Sequence, residues 1–141
     1  MWNVMSFVHI LGALSVGFYL LLPFIVSKMS TLSLPAQEGT AVAIRSFNIF
    51  AQFGLLIQFI TGGYMMSQGD YSPAWMAVTC ILIVALFAVS GMMSKPLKAA
   101  VVKIKEKKDI SAEAGKLRVM SAILAVCLLV MVYFMVFNTV I

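Results

Sequence analysis

His9 is the only histidine in the chain, and it lies inside the first apolar run, VMSFVHILGALSVGFYLLLPFIV. A neutral imidazole in such a run has three uses. It can be an axial ligand to haem iron, a hydrogen-bond and proton-exchange partner for a quinone carbonyl, or a polar tie that fixes helix packing. Along a helix, Ser6, His9, Gly12, Ala13, Val16 and Gly17 recur at steps of three and four, so they share one stripe. Small residues on a stripe let another backbone approach, which places the imidazole toward protein and away from lipid.

Partners for His9 follow from depth. It stands about five residues into its run, roughly 7–8 Å at helical rise. With antiparallel neighbours the matching levels hold Thr61 and Gly62, with Gln58 a turn deeper, then Thr79, then Tyr133. Met5, Met65, Met66, Met76 and Met135 crowd the same level, although most of the 11 methionines act as adaptable filler. The expected site is therefore His9 with Gln58, Thr61 and Tyr133. For b-type haem, His9 is the axial ligand, completed by a methionine or by His9 of a second copy across a two-fold axis. For a quinone, Gln58 and Tyr133 supply the remaining hydrogen bonds.

Other chemistry finds no support in the residues. Glu38, Asp70, Glu106, Asp109 and Glu113 all fall in links or at run ends, which argues against a transporter built on a buried acid and excludes a paired-carboxylate hydrolase. Neither a nucleophile elbow, a P-loop, a zinc-protease motif nor a dinucleotide fingerprint occurs. Cys80 and Cys127 sit in mid-run without metal or redox spacing and read as small buried thiols.

The elements that must position these residues are membrane helices. Of 141 residues, 62% are hydrophobic and 11% charged. A soluble domain carries about a quarter charged residues. A spanning helix takes about 20 apolar residues, and four runs qualify: Val4–Val26, Ala43–Met66, Ala74–Met93 and Val119–Val140. The expectation is an all-α, four-helix membrane bundle forming a single domain over residues 1–141. MWNVMSFVHI lacks a basic n-region and a cleavage site, so it belongs to the first span and not to a removable signal peptide.

Charge sets the orientation. Lys95, Lys98, Lys103, Lys105, Lys107, Lys108, Lys116 and Arg118 lie between the third and fourth runs, and Lys28 and Arg45 flank the first link. Ser67–Pro73 has no basic residue and carries Asp70. The positive-inside rule then places both termini outside and the lysine-rich link inside, as in a bacterial inner membrane. That link reads as a solvated loop that fixes topology. Leu97, Ala100, Val101 and Ile104 also recur at helical spacing, as in an amphipathic helix lying on the inner surface. Without interleaved aromatics, its charge does not indicate nucleic acid.

Elsewhere the second run is the most polar. Arg45 meets the inner interface, while Asn48 and Gln52 continue its face inward as ties to other helices. Pro35 and Gly39 break the polar link Lys28–Thr40, and Pro23 kinks the end of the first helix. Trp2, Tyr64, Tyr71 and Trp75 compose an outer aromatic belt, with Tyr133 and Asn138 on the outer half of the last helix. Asp109 or Ser111 caps that helix, with Glu113 in its first turn.

His9-Ile-Leu-Gly-Ala-Leu-Ser-Val-Gly17, Arg45 opening the second helix and Ile60-Thr-Gly62 closing it resemble a loose group of small bacterial membrane proteins. The group includes the copper-resistance D domain and the HemJ-type protoporphyrinogen oxidases. The similarity covers about the first half of the chain. It implies b-type haem, with His9 as ligand and Arg45 as a propionate or headgroup contact. The group's usual aromatic residue before the first-helix glycine is here Ser15, and a second histidine for a site within one chain is missing. Arg45 and His9 belong to opposite interfaces, so they do not hold one small ligand together. The alternative from another class is an accessory subunit of a larger membrane complex, docked through the small-residue stripe of the first helix.

Overall fold

The computed structural model describes residues 2–29 and 31–137, the side chain of Trp2 apart. The expectations placed on Asn138 and on Trp2 in the aromatic belt lie outside what it describes. The described residues are all helix and loop: α1 Trp2–Val16, α2 Phe18–Met29, α3 Leu34–Gln68, α4 Pro73–Met92, α5 Ser94–Lys105 and α6 Ser111–Val136. Four segments are long and apolar enough to cross a membrane: α1 with α2, α3, α4 with α5, and α6. Their outer surface carries Phe7, Leu14, Phe24, Phe50, Ile81 and Val126, all exposed. Water would penalise so much apolar surface, whereas acyl chains accept it.

The first span breaks earlier than its proline suggests. Pro23 lies inside α2, and the helix changes at Gly17, whose N–H is shared between the carbonyls of Ala13 at 2.9 Å and Leu14 at 3.2 Å. Proline at position 23 denies the Tyr19 carbonyl its usual partner and crowds it. The change itself falls six residues before the proline, at a residue with no side chain to resist it. The break redirects the chain: α1 packs on α3, while α2 packs chiefly on α6.

At the lysine-rich end two expected loops are helical. Residues 34–40, expected within the first link, belong to α3, because Pro35 falls in the first turn, where a missing N–H costs nothing. The 35 residues of α3 reach about 50 Å, well beyond a hydrocarbon core of about 30 Å. The basic link is likewise no solvated loop over its first half. Leu97, Ala100, Val101 and Ile104 of α5 are buried, and α5 rests on α3 and α6. Their stripe is covered by protein, so it does not lie on a membrane surface. Lys103 of α5 pairs with Glu113 of α6 at 2.6 Å.

Only the capping differs in detail at the start of α6. Ile110 is the N-cap residue and gives no side-chain bond. Asp109 instead accepts from the Ser111 hydroxyl at 2.5 Å and its backbone N–H at 3.2 Å, and these bonds hold its carboxyl below the usual range.

Candidate functional site

Helices α1 and α3 meet where glycine faces glycine. A Cβ on Gly54 would lie 2.8 Å from Ser15 Cβ and 3.1 Å from the Gly12 carbonyl oxygen. A Cβ on Gly12 would lie 3.0 Å from Gln58 Nε2. The small-residue stripe of α1 is thus filled by α3 of the same chain and is not a free docking face. That close approach brings His9 against the last turns of α3.

Two hydrogen bonds fix the histidine there. Gln58 Nε2 donates to the His9 carbonyl at 2.5 Å, tying the backbone of α1 to α3. His9 Nδ1 lies 2.7 Å from Thr61 Oγ1, and the same oxygen lies 2.7 Å from the Ile57 carbonyl. A carbonyl only accepts, so the single Thr61 hydroxyl proton goes to Ile57. Thr61 must then accept from His9, which places the ring proton on Nδ1. In the neutral ring Nε2 keeps its lone pair, the arrangement seen in histidine ligands whose other nitrogen is held by the protein.

A cavity of about 660 Å³ lies beside this ring, walled by α1, α3, α4 and α6. It falls within the range of cofactor pockets, about 300–1,000 Å³. Its lining is mostly apolar and includes Met65, Met66, Met131 and Met135. Gln58 and Thr79 also reach it, although the Thr79 hydroxyl is used by the carbonyls of Trp75 and Met76 at 3.0 Å each. Thr61 touches the cavity only through His9.

Tyr133 is not brought to this place. It is 48% exposed and its ring meets Phe134 edge-on and Phe137 at a tilt, while α6 lines the cavity with Leu128, Met131, Val132 and Met135. Depth along α6 matched, but the side chain points away. Arg45 is exposed in the half of α3 away from His9. Trp75 leaves the expected aromatic belt as well: it is 4% exposed, donates its indole N–H to the Phe134 carbonyl at 2.8 Å and stacks on Tyr71 at 4.5 Å. It locks α4 to α6 and walls the cavity. Cys80, expected to be buried, is exposed, and Cys127 is partly buried.

A second polar cluster lies deeper. The buried Tyr19 hydroxyl donates to Asn48 Oδ1 at 2.8 Å, and Asn48 Nδ2 donates to the Ser90 carbonyl at 3.0 Å. Gln52 reaches the Ser90 hydroxyl at 3.5 Å. The amides of α3 therefore tie α2 and α4 to α3, as expected of interhelical bonds in hydrocarbon. Tyr19 was missed because an aromatic in an apolar run looks like filler until a partner is known.

Among the described residues, no three of His, Cys, Asp and Glu converge as a metal cage. Compared with known family models, curated proteins and solved structures, the chain has no match.

Proposed function

We propose that the chain is a multi-pass protein of the bacterial cell membrane that holds b-type haem through His9, for electron transfer or haem handling. The observation that carries this reading is the pairing of an unprotonated Nε2 with an apolar cavity beside it. The donor set fits on two counts. Imidazole nitrogen and thioether sulfur are both ligands of b-type iron, and the lining supplies His9 with four methionines. The lining includes no lysine or arginine, so propionates would be met by water or lipid headgroups at the open side. Arg45, in the other half of α3, serves the opposite interface. The likeness of the His9–Gly17, Arg45 and Ile60–Gly62 segments to haem-linked membrane proteins supports the same reading.

When bound, haem supplies a one-electron redox centre. The chain's own part is positional. Thr61 holds Nδ1–H and thereby presents Nε2, Gln58 anchors the backbone beneath the ring, and the apolar wall keeps water from it.

A quinol is the second reading, favoured by the same lone pair, which accepts a hydroxyl proton but cannot donate to a quinone carbonyl. The visible spectrum in mild detergent decides. Protein from haem-replete cells is expected to show a Soret band that His9→Ala abolishes. A colourless wild type overturns the haem reading. Co-purified quinone would then favour the second reading, and a large co-purifying protein the accessory role.

A further inference from the structure

We infer that the cleft between α4, the α4–α5 junction and α6 at the lysine-rich end is a binding site for one anionic phospholipid. The cleft measures about 790 Å³, and its lining combines apolar Phe87, Ala88, Gly91, Met92, Pro96 and Met120 with polar Ser94, Lys95 and Lys116. The division is that of an amphiphile. Phe87, Ala88 and Met92 belong to the apolar run of α4, and Met120 to that of α6, at the depth of acyl chains. Lys95 and Lys116 stand just beyond the ends of those runs, at the depth of headgroups.

Charge selects the occupant. No acidic side chain lines the cleft; Glu113, the acidic residue nearest to Lys116 in sequence, pairs with Lys103 at 2.6 Å and feels the Lys116 charge only as a weaker, unbonded attraction. Two ammonium groups over an apolar floor match a phosphate diester with a net negative charge, as basic pockets between membrane helices do. A zwitterionic headgroup brings its own cation against the same lysines. Gly91 keeps the floor open: a Cβ there meets nothing within 4 Å. This site is separate from the His9 cavity and does not rest on the haem reading.

The test is native mass spectrometry of delipidated full-length protein in mild detergent, titrated with phosphatidylglycerol, phosphatidylcholine or soluble glycerol phosphate. One phosphatidylglycerol is expected to bind at least ten-fold more tightly than phosphatidylcholine, with glycerol phosphate failing to compete. Each lysine contributes about five-fold, so Lys95→Gln with Lys116→Gln should erase the preference. Gly91→Leu, which keeps both lysines and fills the floor, should weaken both lipids. Lys105→Gln with Lys107→Gln removes the same charge elsewhere and should leave the preference intact. The proposal is overturned by equal affinity for the two lipids, by competition from glycerol phosphate, or by an equal loss in the two lysine pairs.

Discussion

Thr61→Val keeps the β-branched shape and removes the oxygen that receives the Nδ1–H of His9. A ring donor is then stranded beside α3, which is expected to cost about 1–2 kcal/mol. Under the haem reading, loss of such a support should also lower haem affinity at least ten-fold. Thr61→Ser should restore both, as read by reversible unfolding in mixed micelles and by Soret absorbance. Tyr19→Phe tests the deeper cluster. It leaves Asn48 Oδ1 buried without its donor and should destabilise by about 1–2 kcal/mol and, under the haem reading, leave Soret absorbance unchanged. His9, Gln58 and Thr61 could be grouped from sequence because helical rise converts residue number into depth. Tyr133 shows the limit of that conversion. Depth says nothing about azimuth, and the side of α6 that faces inward depends on where α2 and α4 lean against it.

At the level of elements, the α1–α3 crossing is set by backbone proximity, and two glycines on the same helix separate that effect from glycine's helix penalty. Gly54→Ala pushes a methyl group into Ser15 and the Gly12 backbone and should cost about 1–3 kcal/mol by overpacking. Gly63→Ala meets nothing within 4 Å and should be neutral or stabilising by up to about 1 kcal/mol. Equal effects in thermal melts would mean that crossing proximity is not what Gly54 provides. The stripe on α1 was legible because small residues repeated at helical spacing. Its partner Gly54 was not, since a single glycine in an apolar run carries no such period. The same gap explains α5: the spacing of Leu97, Ala100, Val101 and Ile104 foretold an apolar face but not whether protein or membrane would cover it.

For the whole molecule, the spans follow from composition, while orientation follows from charge and is a separate claim. The four spanning segments alternate in direction, so Asp70, between α3 and α4, and Lys107, between α5 and α6, lie at opposite ends of the bundle. Eight of the ten basic residues fall in the region of Lys107, between the third and fourth apolar runs, and moving that charge across an energised membrane is strongly opposed. In a background where Cys80 and Cys127 are replaced by serine, Asp70→Cys should react with an impermeant maleimide on intact cells. Lys107→Cys should react only after permeabilisation. The reverse pattern would place the His9 cavity toward the cytoplasm, and under the haem reading its redox partners would then be cytoplasmic and not external. Labelling of both sites on intact cells would mean that two orientations coexist, and the charge asymmetry would then be too weak to set topology.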